Sequence, residues 1–546
     1  MLGRNDLAPL LVACALIGAA TRVHAAEPAP AGEPTPSEPT PVEPEPTPPT
    51  TNDVDAELEA LRKRVDELEQ QVEQIGARQA QPKVGPEQPP AKASKQAQPK
   101  PTIGGGAGDS ADNHTPDYAE GFHFGSYGRV IAGGDHRGRA GRDADIVAFG
   151  SRLDESNYAE LELRREDYWE ETGAYTRVVA TMALGNPMFH YNAEFDAKLA
   201  VRNLYIEESG LGLKHLKVWA GSRMYRGDDI YLLNFWPLDN LNTLGGGLSY
   251  EFIPNLVLKL HSGVNQPQNP FFYQDATRPK PLGQLGGQSV RITDRQKSIS
   301  SAKLSHIFPI GKSGGFKPVV YGEMHFTTSA QRERETQQYE NLPRDQGFVV
   351  GTQLGLFSGV RSTHLNLVFR YAGGLAAYGE LNAPSRLAPD KTSKGAREIV
   401  VAASGNYEVG PFGLLMGSYW RSFRNASPGL DVDDVGEGIV VLRPTVWFGK
   451  IAGLSLEGSY QAQRRGVLVP KGNDQVPQFA QMGRLGFVPF LTPAGRGNYA
   501  RPHIRLIYVL SFRDDGARRL YPSDDVFALR KVDHFIGFGA EWWFGS

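Results

Sequence analysis

The most regular feature of the chain is alternation. Around residue 364, the polar positions His364, Asn366 and Arg370 interleave with Leu365, Leu367, Phe369 and Tyr371. From residue 454, Leu454, Leu456, Tyr460 and Ala462 alternate with Ser455, Glu457, Ser459, Gln461 and Gln463. From residue 158, Tyr158, Glu160, Glu162 and Arg164 alternate with Ala159, Leu161 and Leu163. A period of two means strands whose faces meet two different environments. A soluble antiparallel sandwich shares this pattern, so alternation alone does not choose between sandwich and membrane barrel. The last segment adds information. Ile536, Phe538, Ala540, Trp542 and Phe544 share one face; Asp533, Gly537, Gly539, Glu541 and Trp543 share the other. An apolar face ending on an aromatic, with only Gly545 and Ser546 after it, suits the closing strand of an outer-membrane barrel. Strands of about ten residues, short turns and long outer loops over residues 120–546 predict roughly 16 to 18 strands. The expected fold is all-β: a large antiparallel transmembrane β-barrel, wide enough for an aqueous lumen and closed so that no edge faces lipid.

A different period precedes the barrel. Val54, Leu58, Leu61, Val65, Leu68, Val72 and Ile75 are spaced by four and three in turn, with mostly Glu, Arg, Lys and Gln between. This is an a/d heptad stripe with Leu58, Val65 and Val72 at a. It predicts a coiled coil over residues 53–80, with Asn52 or Asp53 as cap. An amphipathic helix lying on the barrel rim would share the pattern. The narrow stripe and the flanking spacers favour self-association, which an oligomeric body reinforces by raising local concentration. Residues 26–52 are Pro-rich and read as a stiff extended spacer; residues 81–119 read as a flexible linker.

Composition narrows the class. The 546 residues carry 58 basic and 61 acidic side chains, a balance that argues against nucleic acid as a partner. Mean hydropathy is −0.38, and no stretch beyond the N-terminus reaches the about 20 apolar residues of a membrane helix. The 62 glycines and 10% aromatics suit many turns and interfacial rings. Residues 7–20 are apolar, and Val23-His24-Ala25 offers a small-x-small cleavage pattern, so residues 1–25 read as a signal peptide. Leu11-Val12-Ala13-Cys14 offers a lipoprotein reading instead; either one directs the chain out of the cytoplasm. Cys14 is the single cysteine, so the processed chain is expected to have no disulfide, thiolate metal site or cysteine nucleophile. Gly311-Lys312-Ser313 ends like a phosphate-binding loop, but His306 stands where its first glycine is needed. There is no H-E-x-x-H or G-x-S-x-G, and the 12 histidines show no metal-ligand spacing. No catalytic residue, metal or cofactor is expected.

Several blocks carry a resemblance. Phe122-His123-Phe124-Gly125-Ser126-Tyr127-Gly128-Arg129 opens the barrel, followed by Asn157-Tyr158-Ala159-Glu160-Leu161 and Val218-Trp219-Ala220-Gly221-Ser222-Arg223-Met224-Tyr225. Asp229, Asn234-Phe235-Trp236, Asp239 and Gly245-Gly246-Gly247-Leu248 come next, and Arg501-Pro502-His503-Ile504-Arg505 stands near the end. In order and spacing these resemble the maltoporin family of sugar-specific outer-membrane porins. The N-terminal extension resembles the periplasmic coiled coil of sucrose porins. The resemblance implies eighteen strands, a homotrimer and a channel lined on one side by aromatics. It places Tyr127, Tyr158, Trp236 and Trp543 on the aromatic track, and Arg129, Arg152, Glu160, Arg202, Asp229 and Asp239 on the polar track. Arg152 aligns after a two-residue gap. Tyr127, Tyr158 and Trp543 suit a membrane-interface girdle as an alternative, and the charged residues suit a solvated wall.

Departures bear on the substrate. The family's arginine is replaced by Gly227, with Arg226 beside it; Trp236 stands where a tyrosine is usual; no aromatic stands at Gly438; and the first-loop disulfide has no cysteines. Phe195 or Tyr191 would be the aromatic lent to a neighbouring subunit's channel mouth. Arg137, Arg139 and Arg142 form a basic cluster suited to lipopolysaccharide or anionic solutes. The expected function is facilitated diffusion of di- or oligosaccharides across the outer membrane, with the extension in the periplasm. The rivals are a general or anion-preferring porin, and a structural envelope tether anchored by the barrel.

Overall fold

The computed structural model describes residues 120–544, apart from 137–144, 186–198, 268, 270, 281–283, 294, 336–337, 360–361, 430–431 and 472–473. The signal segment, spacer, heptad stripe and linker lie outside the described residues. So do Tyr191, Phe195 and the cluster of Arg137, Arg139 and Arg142.

The main sheet holds nineteen strands, all antiparallel to their neighbours. One, Phe308–Ile310, only prolongs Lys297–His306 beyond Ile307, pairing with the same following strand. The wall therefore has eighteen, from Gly121–Gly134 to Val532–Phe544. First and last pair with each other, Tyr127 opposite Trp543 and Arg129 opposite Glu541, which closes the barrel. Closure gives every wall strand two partners and leaves no edge of unpaired amides toward lipid. Two extra hairpins, Tyr273–Pro279 with Gly287–Thr293 and Ala330–Glu335 with Gln338–Leu342, form small sheets of their own.

The alternation resolves into an outside and an inside. On His364–Gly374, Leu367 is 49% exposed while Asn366 is 5% exposed. On the preceding strand, Asp345–Phe357, Phe348, Val350, Leu354 and Leu356 point outward, and Asp345 and Gln353 are buried. Polar groups inside and apolar groups outside reverse the arrangement of a water-soluble sandwich. This reversal decides between the two readings, because only a lipid surround favours it. Exposed aromatics, among them Trp169, Phe252, Phe412, Phe448 and Phe544, mark strand ends at the rim with short turns. That rim is periplasmic in this architecture, and the long loops face outward. Among the described residues no helix is long and apolar enough to cross a membrane; strands do the crossing.

Candidate functional site

Two long-loop segments descend into the lumen. In the first, residues 145–157, backbone amides find partners on distant wall strands. Ile146 N–H donates to Gln461 Oε1 (3.0 Å), Ala148 N–H to Glu437 Oε2 (3.2 Å) and Phe149 N–H to Tyr419 Oη (3.1 Å). Arg484 ties the same segment down through Asp145 (2.8 Å) and Asp154 (2.5 Å). Such partners are what allow non-strand backbone inside a barrel.

The second segment, residues 227–239, is rooted by Lys317 on Asp228 (2.6 Å) and Lys303 on Asp239 (2.7 Å). Its tip lies on the strand Phe412–Arg424 at Gly417, where a Cβ would stand 2.7 Å from Ile230 Cγ2. Only glycine permits that approach. The two segments meet where Phe149 stacks on Phe235, centroids 4.0 Å apart and planes 17° apart, with Tyr419 5.2 Å from Phe235.

Beside this contact is a cluster of rings and charges. Tyr127 Oη accepts from Arg152 Nη2 (2.5 Å) and Arg129 Nη1 (3.0 Å). Both arginines share Glu155, at 2.8 Å and 2.7 Å. Glu541 accepts from Arg501 Nε (2.8 Å), Arg505 Nη1 (3.0 Å) and Tyr231 Oη (2.9 Å). Arg501 also lies 4.3 Å from the Trp543 ring centroid. Burial alone would lower the pKa of Arg152 and of Arg501. Around Arg152, Glu155, Tyr127, Tyr231 and Glu541 outweigh burial and hold it well above its ordinary value. Tyr231 and Glu541 do the same for Arg501. Tyr158 lies 6.0 Å from Tyr127. Its hydroxyl bonds both Glu160 and Arg202, which are themselves paired at 2.8 Å. Arg202 reaches this place through a register shift. Thr181 pairs with Asn203 and Met182 with Val201, so Arg202 is the extra residue of a bulge.

Tyr127, Tyr158, Trp543, Arg129, Arg152, Glu160 and Arg202 are thus brought to one side of the lumen. Trp236 is half-buried and packs against Arg226 (4.1 Å). Arg226 in turn donates from Nε to Asn240 Oδ1 (2.6 Å). Asp229 is buried close to Tyr499, whose phenol is pushed well above its ordinary value by burial and then by that charge. Asp239 anchors the loop root on Lys303. A Cβ at Gly227 would meet Asp239 Oδ1 at 1.9 Å, so the glycine found in place of the family's arginine leaves room for this anchor.

Sequence reasoning missed Phe149, Tyr231, Phe235, Tyr419 and Tyr499. Tyr231 and Phe235 sit inside the block of residues 229–239, and Tyr499 stands just before Arg501-Pro502, so their neighbourhood was visible. Tyr419 lies opposite Ile439, and Trp420 opposite Gly438. Tyr419 faces inward and Trp420 outward, so Gly438, opposite Trp420, lies on the lipid side of the wall, and the aromatic that enters the lumen here is Tyr419, one strand away.

The LamB porin family model matches residues 122–544, the whole closed wall from first strand to last. The chain belongs to the LamB porin family. It is an outer-membrane β-barrel porin, and outer-membrane lipid surrounds its apolar belt. No curated protein matches the sequence. Among solved structures the chain is similar to opdK of Pseudomonas aeruginosa, at 11% identity over 78% of this chain and 99% of that one, TM-score 0.39. It is similar to OccAB1 of Acinetobacter baumannii, at 11% over 79% and 99%, TM-score 0.40. OmpT of Vibrio cholerae in its trimer form follows at 9% over 78% and 99%, TM-score 0.35.

Proposed function

We propose that this LamB-family porin facilitates the diffusion of di- or oligosaccharides, working as a homotrimer whose outer rim contacts lipopolysaccharide. The observation that carries the reading is the succession of rings in the constriction beside paired charges. Tyr158 and Tyr127 are 6.0 Å apart, Tyr231 lies 5.8 Å from Trp543 and 5.7 Å from Tyr499, and arginine–carboxylate pairs flank them. A pyranose has an apolar C–H face that stacks on such rings. Its hydroxyls exchange water for charge-assisted hydrogen bonds. Several weak sites in line allow both entry and exit. In this reading Tyr158, Tyr127, Trp543 and Trp236 form the aromatic track; Arg129, Arg152, Glu160, Arg202 and Asp229 form the polar one. Asp239 acts indirectly, by holding the loop.

One observation favours the anion-preferring reading. Five arginines, Arg129, Arg152, Arg443, Arg501 and Arg505, share the carboxylates Glu155, Glu457 and Glu541 around Tyr231, beside the one-to-one pair of Arg202 with Glu160. Tyr158→Ala separates the two readings. The half-buried Tyr158 ring is open to solute, and its loss is expected to raise the half-blocking sugar concentration about tenfold, roughly one stacking contact. Open-channel conductance should change little. Equal sugar block before and after the substitution would sink the track assignment.

A further inference from the structure

The rings and charges assigned to sugar in the reading above already hold a ring, and it belongs to the protein. Tyr231, at the tip of the inward segment 227–239, is 5% exposed. Its hydroxyl donates to Glu541 Oε2 (2.9 Å) and accepts from Arg501 Nη2. Its ring stands nearly perpendicular to Trp543 (82°) and Tyr499 (77°), which sets a ring edge against a ring face in each contact. Guanidinium carbons of Arg152, Arg501 and Arg443 lie 5.0, 5.5 and 6.0 Å from its centroid. Edge-to-face carbon contact, a hydroxyl held between a carboxylate and a guanidinium, and flanking cations are what a pyranose would find at this place. Trp543, against which Tyr231 packs, and Tyr127 are buried, while Phe149, Tyr158, Trp236 and Tyr499 are half-buried.

We propose that Tyr231 is an internal plug: a side chain that occupies one ring site of the constriction and so limits the length of saccharide the channel binds. The inference rests on the sugar reading for its ligand, but the plug itself does not. The loop carrying Tyr231 is held independently of that ring by Asp228–Lys317 and Asp239–Lys303, and Arg152 Nη1 donates to the Tyr231 carbonyl (3.1 Å). Removing the ring therefore empties the site without releasing the loop. A solute with more rings than the free faces can accommodate has to displace Tyr231 or stop short of it; a shorter one binds to the open rings alone.

The test uses the full-length protein in planar bilayers, as wild type, Tyr231→Ala and Tyr231→Phe, with circular dichroism confirming the barrel. Tyr231→Ala is expected to raise single-channel conductance about twofold, since a pore-lining ring is removed at the constriction. It should also lower the half-blocking concentration of maltohexaose about tenfold while leaving that of glucose nearly unchanged. Tyr231→Phe keeps the ring but loses both hydroxyl contacts; brief excursions to the larger conductance level are expected on the wild-type baseline. Wild-type conductance in Tyr231→Ala overturns the plug, and so does a baseline without excursions in Tyr231→Phe should the alanine variant fail to fold. If conductance rises but no sugar blocks any of the three proteins, the plug stands and the sugar reading falls. If sugars block all three alike at one conductance, the reverse holds.

Discussion

Glu541→Ala is expected to destabilise the barrel by about 3–5 kcal/mol, because it leaves buried arginines without their counter-charge. Glu541 is 1% exposed and accepts from Arg501, Arg505 and Tyr231, with Arg152 4.0 Å away. Nothing else within this group can take over: Glu155 is already shared between Arg129 and Arg152, and Glu457 is paired with Arg443. The midpoint of guanidinium-chloride unfolding should fall accordingly. Channel selectivity should move toward anions, since the constriction loses a carboxylate and keeps its arginines. Glu541→Gln keeps the acceptor oxygen and should lose less stability with the same shift in selectivity. An unchanged midpoint together with an unchanged reversal potential would mean that the arginines are not held by this residue.

The second large effect concerns the other face of the wall. Phe369 lies midway along His364–Gly374, 45% exposed and pointing outward. Phe369→Arg is expected to cost about 2–4 kcal/mol, the range for a cation on the lipid face near the midplane. Gln346 also points outward, but at the long-loop end of Asp345–Phe357. There the same introduction of arginine should cost about 0–1 kcal/mol. Refolding into detergent micelles or liposomes, followed by denaturant titration, reads both. Equal costs at the two depths would contradict the inside-out assignment of the wall.

The wall was legible because a period of two leaves little freedom. Once Leu365, Leu367 and Phe369 are on one face, Asn366 must be on the other, and a one-residue slip would reverse every strand. Trp543 was placed on the Glu541 face by this parity alone. The constriction was harder to read. Ile146, Val147 and Leu153 are buried inside the lumen, but their apolarity has no period, and their segment's partners Gln461 and Tyr419 lie hundreds of residues away. Tyr419 and Trp420 are adjacent aromatics, so choosing which one enters the lumen depended on the strand's register. Arg202 faces inward only because of the bulge opposite Thr181 and Met182. Asp239 stands in a resembling block, but its partner Lys303 sits on a strand that nothing in the block names. The inward descent of residues 227–239 itself depends on the bare backbone at Gly417.

If the constriction works as proposed, its rings bind sugars in passing. The most direct test is the single-channel conductance of the purified protein in a planar bilayer, titrated with mono-, di- and oligosaccharides. Saturable block of the current by di- or oligosaccharides is expected, with half-blocking concentrations that differ between classes. A current indifferent to every sugar, carried mainly by anions, would contradict it and leave a general porin whose arginines, not its rings, select what passes.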